Sequence, residues 1–301
     1  MLSFVLILLA SFYFTGIVNR TKSIASGRKG PGIMQSMKDI IRLWKKGSVY
    51  SSTSSLIFRI APVIYFSSVV MAILMIPHGS KPGFISFNGD FVMFAYLLAL
   101  GRFMMIIAAL DTGSSFEGMG SAREALFAML VEPAFFIIMG SFALYTGNTS
   151  FASIFSSLHF GSHISYMLGI LATYLLIMIA MIENSRMPVD DPKTHLELTM
   201  VHEVMILDHS GFDLGLIMYT SNLKFAMYGA LIANFYIAAS PLIVSIPAFL
   251  GIQVLLAAVV GVIESFTARF RMSHNPEFIF TLTSLSLLLF FGVLLILGKF
   301  I

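Results

Sequence analysis

Residues 91–110 read FVMFAYLLALGRFMMIIAAL, an apolar run whose single charge, Arg102, falls near its middle. A hydrocarbon core about 30 Å thick is crossed by roughly 20 apolar residues in a helix, so this run has the length of one membrane crossing. An ionisable group that deep costs several kcal/mol unless it is paired or faces a wet cavity. Arg102 is also too far from either interface for its stem to carry the guanidinium out. The stretch therefore predicts a membrane helix and leaves two roles for Arg102, a structural pair with a carboxylate of a neighbouring helix or a part in ion passage.

Outward from this run the same length rule predicts about eight spans, near 2–19, 56–76, 91–110, 122–145, 166–183, 226–246, 249–268 and 278–298. The fold class is all-α, a polytopic transmembrane helix bundle, and residues 1–301 form one membrane domain without internal repeat or low-complexity linker. Composition agrees: 57% of residues are hydrophobic, 11% are charged, and the mean hydropathy of +0.90 needs lipid as solvent. The opening stretch lacks a basic leader and a small-residue cleavage site, so it is expected to stay as the first helix.

Loop charges set the orientation. The loop 20–55 carries Arg20, Lys22, Arg28, Lys29, Lys38, Arg42, Lys45 and Lys46, whereas the next holds only Lys81. Arg186, Lys193, Lys224, Arg269 and Arg271 fall in later loops of the same side. By the positive-inside rule the first loop is cytoplasmic and both termini lie on the outer side. Within it IMQSMKDIIRLWKK places Ile33, Met37, Ile40, Ile41 and Trp44 on one helical face and Lys38, Arg42, Lys45 and Lys46 mostly on the other. Such a helix lies in the interface, as an anchor on anionic lipid or as a docking collar for a soluble partner, with Arg28 and Lys29 beside it. The basic excess suits a membrane surface rather than nucleic acid, because it crowds beside apolar spans.

Further charges stand where lipid disfavours them. Asp111, Glu117, Arg123 and Glu124 lie in DTGSSFEGMGSARE, which reads as a Gly- and Ser-rich hinge too short to leave the membrane surface. Glu132 lies inside the fourth span just before Pro133, whose missing amide hydrogen is expected to kink the helix. Glu183 closes the fifth span and opens ENSRMPVDDPKTHLELTMVHEVMILDHSG, which carries Arg186, Asp190, Asp191, Glu197 and Glu203 in a cytoplasmic acidic loop, 184–224. Desolvation and nearby cations move the proton affinity of such carboxylates in opposite directions, which suits proton exchange; a solvated acidic loop and structural pairing are the ordinary alternatives. His202 and His209 do not match HExxH, so no metal site is expected. With no Cys the chain has no thiolate for an iron–sulfur cluster, and no catalytic constellation is present.

These motifs resemble a known family. RKGPG after the first span, RIAP opening the second, SSFEGMGSARE with Glu132 downstream, and ENSRMPVDD running into HLELTMVHE look like the membrane-anchor subunit shared by respiratory complex I and energy-converting membrane-bound hydrogenases. Glu183, Arg186, Pro188, Asp190 and Glu197 match the stretch that borders the quinone chamber in complex I. Val189 replaces a Phe, and Lys193 and His195 stand where carboxylates are usual, which favours the hydrogenase branch of formate hydrogenlyase and hydrogenase-4 type.

The resemblance implies a non-catalytic coupling subunit in a prokaryotic cytoplasmic (inner) membrane. It would join a hydrogenase large subunit and an Fe–S small subunit, which hold the NiFe centre and Fe–S clusters, to antiporter-like membrane subunits within the lipid bilayer. Glu132, Glu183, Asp190, Asp191, Glu197, Glu203, Asp111 and Glu117 would then relay protons or ions. Arg102, Arg123 and Arg186 would set their proton affinity, and Arg28, Lys29, Lys38, Arg42, Lys45 and Lys46 would seat the soluble arm. A quinone-chamber subunit and a stand-alone secondary transporter are the rival expectations; the latter calls for an inverted repeat.

Overall fold

The computed structural model describes residues 2–79, 81–158, 163–191, 200–237 and 240–298, and of 163–166 the backbone alone. Glu197, Lys193 and His195 lie outside the described residues.

The described residues are helical without any β-strand; a lone bridge joins His78 to Lys81. In chain order the helices are α1 (Leu2–Ala25), α2 (Gln35–Trp44), α3 (Leu56–Met75), α4 (Asp90–Asp111), α5 (Ser115–Thr146), α6 (Phe151–Ser157), α7 (His163–Glu183), α8 (His202–Met205), α9 (Gly211–Ile237), α10 (Leu242–Phe266) and α11 (Asn275–Ile296). Six of them, α1, α3, α4, α5, α10 and α11, are long and apolar enough to cross a membrane, and α7 contributes a shorter apolar stretch, Met167–Glu183. The chain is a multi-pass membrane protein.

The centre of the bundle is α9, which packs against α1, α2, α3, α7 and α10. Around it α3 pairs with α4, α4 with α5, α5 with α11, and α1 with α10. Because α9 meets protein on nearly every side, it needs no apolar outer face and carries Asp213, Thr220, Asn222, Lys224 and Asn234 as buried residues. Its boundaries differ from the expected span at 226–246. The helix starts at Gly211 and ends at Ile237, and the next begins at Leu242, ahead of the expected Phe249. Lys224, expected as a loop charge, is therefore a helical residue in the interior.

Two other local expectations change. Residues of the expected hinge are mostly helix, since only Thr112–Ser114 separate α4 from α5, and α5 carries Glu117, Arg123, Glu124 and Glu132. Gly120 there serves packing: a Cβ on it would stand 2.9 Å from the Val201 carbonyl oxygen and 3.0 Å from the Met205 amide, so α8 sits directly on α5. At Pro133 α5 continues without a break, and Thr283 Oγ1 of α11 donates to the Leu130 carbonyl one turn away, at 3.2 Å. The amphipathic helix is present as α2. It lays Met37 and Ile40 into the bundle against α9, with Trp44 edge-on to Tyr219 at 5.4 Å between ring centroids, while Ile41 stays exposed.

Candidate functional site

Arg102, midway along α4, is buried, and its guanidinium is the hub of a charge cluster. Nη2 is in direct ionic contact with Glu183 at the end of α7, and Nη1 donates to Glu132 Oε1 at 3.2 Å. Nε stands 3.8 Å from Glu124 Oε1, an ionic contact too long for a hydrogen bond. On its other side Glu183 meets Lys224 of α9, whose Nζ lies 3.0 Å from Oε2 and donates to the Glu183 carbonyl at 2.8 Å. The Tyr65 ring lies 5.7 Å from the same Nζ. Three carboxylates thus face two cations, leaving one formal negative charge, and a dry interior holds them only because they compensate one another. Glu124 and Glu183 are buried, whereas the Glu132 side chain remains 39% exposed. A void of about 20 Å³, the size of one water, is bounded by Arg102, Glu132, Glu183 and Tyr228.

A second, smaller cluster lies past the end of α7. Glu264 of α10 is fully enclosed and pairs with Lys22 of α1 at 2.8 Å and with Arg186 at 3.3 Å. A third is centred on Asp190. Its Oδ2 accepts from the amides of Val201 and His202 at 3.1 and 3.2 Å, and Oδ1 accepts from the Asp191 amide and from Arg269 Nη2 at 2.7 Å. Asp190 thereby fastens the start of α8 to the loop after α10. Arg123 reaches the same segment, donating to the Met200 carbonyl at 2.9 Å. Asn184 and Ser185, which follow Glu183, are tied to α9 and α5, with Ser221 Oγ donating to Asn184 Oδ1 at 3.1 Å and Ser185 Oγ donating to Glu124 Oε2 at 3.5 Å.

Not all expected residues join. Asp111 caps the start of α3 by accepting from the Ser55 amide at 2.7 Å, and Glu117 accepts from the Asp208 amide at 2.9 Å, each away from Arg102. Glu203 lines a cavity beside the Asp190 cluster, and Asp191 is half-buried at the loop surface. Arg28, Lys29, Lys38, Arg42, Lys45 and Lys46 are all exposed, Arg42 with Asp39 at 3.2 Å. His202 and His209 are both held at about 4 by burial, with Lys224 adding to the effect on His202, so both are neutral at pH 7. His209 stacks flat on Phe58, ring centroids 4.1 Å apart. No group of three His, Cys, Asp or Glu that could hold a metal is found among the described residues.

The cavity holds about 310 Å³ and lies between α1, α2, α9 and the loop after α7. Its polar wall includes Asn184, Arg186, Asp190, His202 and Glu203, and Ile40, Ile206 and Ile217 supply apolar wall. It therefore touches the Glu264 and Asp190 clusters through Arg186 and Asp190, one loop away from Glu183.

A sequence profile of the NADH dehydrogenase family matches residues 1–295. The chain belongs to that family. It is 31% identical to hydrogenase-4 component C of Escherichia coli strain K12 over 77% of this chain and 73% of that protein. Formate hydrogenlyase subunit 4 of the same organism is 25% identical over 87% of each chain. An NADH-quinone oxidoreductase subunit of Streptomyces avermitilis is 26% identical over 76% of this chain but only 49% of its own length. The fold is shared with a chain of the membrane-bound sulfane sulfur reductase, an archaeal respiratory membrane complex, at a TM-score of 0.80, 17% identity and 97% coverage of both chains. These relatives are subunits of multi-subunit membrane complexes.

Sequence reasoning misses Lys224, Glu264 and Lys22 as members of these clusters and gives Glu124 no role. The signal for Lys224 and Glu264 is the one that flags Arg102, an ionisable group within an apolar run: LKFAMYGAL around Lys224 and VVGVIESF around Glu264.

Proposed function

We propose that this chain is the membrane-anchor and coupling subunit of a membrane-bound hydrogenase, with about eight spans, both termini on the outer side, and a place in the prokaryotic cytoplasmic membrane. The observation that carries the reading is Glu183 held between Arg102 and Lys224, with Glu124 and Glu132 on the same arginine. Such a group of closely coupled, mostly buried charges responds to a small electrostatic change by shifting a proton. Glu132, Glu183, Asp190, Glu197 and Glu203 are the relay carboxylates in this reading, and Arg102 and Arg186 set their proton affinity. Asp111 and Glu117 act through the backbone they hold. The basic residues from Arg28 to Lys46 seat the soluble arm.

The branch assignment rests on similarity to hydrogenase-4 component C and formate hydrogenlyase subunit 4. Redox metal belongs to the partners, a hydrogenase large subunit and an Fe–S small subunit. A chain without cysteine has no thiolates for a nickel–iron or iron–sulfur centre. What this chain contributes is a charge path from the Asp190 loop, where a soluble arm docks, to Arg102 and then to antiporter-like subunits. Glu183→Gln and Glu132→Gln, each in the assembled complex, are expected to lower ion transfer per hydrogen evolved. Unchanged hydrogen evolution and unchanged ion transfer in both would refute these roles.

A second reading, a quinone-chamber subunit, draws support from the 310 Å³ cavity and the similarity to the Streptomyces avermitilis NADH-quinone oxidoreductase. Asn184, Arg186 and His202 would donate to the carbonyl oxygens of a quinone head group, which would accept electrons delivered by a partner. Quinone analysis of the purified complex separates the two.

A further inference from the structure

The ends of α1 and α10 enclose a pocket that none of the roles above uses. It holds about 310 Å³, and its wall includes Asn19, Lys22 and Ser23 of α1, Arg28 of the loop that follows, and Ser265 and Phe266 of α10. Gly261 sets its floor. A Cβ there would stand 2.9 Å from the Val18 carbonyl oxygen and 2.7 Å from Thr21 Cβ, so the two helices touch one turn before Lys22 and Ser265. The pocket is positive: Glu264 faces both Lys22 and Arg186, one acid against two cations, which leaves one formal positive charge in excess. Lys22 is the member of that group that reaches the pocket, with 22% of its side chain exposed, and Arg28 adds a second, exposed cation. No carboxylate lines the wall among the described residues. The hydroxyls of Ser23 and Ser265 donate to carbonyls of their own helices at 2.8 and 2.7 Å, so their lone pairs remain for a donor in the pocket. Phe266 and Val262, one turn apart on the same face of α10, are exposed apolar side chains beside it.

We propose that this pocket holds the headgroup of an anionic phospholipid, with the phosphate between Lys22 and Arg28 and an acyl chain along Val262 and Phe266. Basic pockets between membrane helices on the cytoplasmic side suit acidic headgroups, and α1 and α10 both end here, at headgroup depth. A headgroup that bears hydroxyls, as phosphatidylglycerol does, also donates to Ser23 and Ser265. The phosphate offsets the excess positive charge on the Lys22–Glu264–Arg186 group and so fastens α1 to α10 at the surface. A free anion meets the same two cations without the apolar contact, which is why the occupant is a lipid. Arg28 is the first of the basic residues assigned to the soluble arm, so the lipid lies at the rim of that surface. The site is independent of the hydrogenase and quinone readings.

The test uses the intact complex in nanodiscs. The chain has no cysteine, so Ser265→Cys puts one thiol in the pocket, and Ala268→Cys, exposed and outside the wall, gives a reference thiol at the same helix end. Alkylation by N-ethylmaleimide is followed on this chain's own peptides by mass spectrometry. The discs contain phosphatidylcholine alone, phosphatidylcholine with a rising share of phosphatidylglycerol, or phosphatidylcholine with inorganic phosphate in the buffer. Phosphatidylglycerol is expected to slow the thiol at 265 several-fold relative to the thiol at 268, and inorganic phosphate is not. Adding Arg28→Gln should raise the phosphatidylglycerol share needed for half-protection on the order of fivefold, the contribution of one cation near a membrane surface. Lys29→Gln removes the same charge from the next residue, which does not line the wall, and should shift it far less. Equal slowing of both thiols, equal effects of Arg28→Gln and Lys29→Gln, or the same protection by inorganic phosphate would each overturn the proposal. So would a thiol at 265 that reacts alike in every disc. Ala25→Cys, on the α1 side of the pocket, repeats the measurement should Ser265→Cys fail to assemble.

Discussion

The pair Glu183–Lys224 offers the sharpest energetic test. In Lys224→Met the Glu183 carboxylate loses a partner at 3.0 Å and its carbonyl a donor at 2.8 Å, but Arg102 stays. In Glu183→Gln the ammonium of Lys224 keeps that carbonyl and the Tyr65 ring at 5.7 Å, and no other acid pairs with it among the described residues. Removing one member of a buried ion pair costs about 3–5 kcal/mol, since a charge is left uncompensated. Lys224→Met belongs near the lower figure and Glu183→Gln near the upper. Replacing both members removes the stranded charge as well as the attraction, so the double variant should recover about 2–3 kcal/mol of the summed losses. At about 2–4 °C per kcal/mol for a large domain, each single variant lowers Tm by roughly 6 °C or more. The double variant therefore melts within about 4 °C of the worse single one instead of far below it. The assay is a thermal unfolding series on the detergent-solubilised complex. Additive losses in the double variant would refute the claim that these two charges balance one another.

Other outcomes follow from the same geometry. Asp190→Asn removes the charge that Arg269 meets at 2.7 Å and weakens the acceptor for the Val201 and His202 amides, so limited proteolysis should cut between 184 and 210 markedly faster. Gly120→Val forces α8 off α5 and should cost about 1–3 kcal/mol, read as a lower Tm and poorer assembly, whereas the exposed Ala122→Val on the same helix should not. His209, held at about 4, refuses a proton that the unfolded chain takes up below about 6.5. Stability is therefore intact above that value and falls as pH drops from about 6.5 towards 4, by on the order of 3 kcal/mol for this residue. His209→Phe should flatten that slope in unfolding measured across pH.

Arg102, Glu132 and Glu183 were legible because each interrupts an apolar run, and lipid leaves an ionisable group there few alternatives. Helical content was legible for the same reason, since only a helix satisfies its own backbone in lipid. The position of α9 was not. Asp213, Asn222 and Lys224 depress its hydropathy, and a length rule built for lipid-facing helices delays its start to Ala226. The helix is walled by α1, α2, α3, α7 and α10, so polar residues cost it nothing where partners are supplied by its neighbours. Glu264 escapes notice because it stands two residues from the end of α10, where a carboxylate ordinarily reaches water. Here Lys22 and Arg186 enclose it instead. The glycines before Arg123 resemble a hinge in one dimension; only the approach of α8 shows that Gly120 makes room for a backbone.

In the coupling role proposed for it, the Arg102 cluster changes protonation when electrons reach the complex. Reaction-induced infrared difference spectroscopy on the reduced and oxidised complex reads carboxyl protonation directly. A carboxyl C=O band that appears on reduction in the unaltered complex and is absent from Glu132→Gln or Glu183→Gln is the predicted result. A difference spectrum without any carboxyl band, or one that both variants leave untouched, would contradict it.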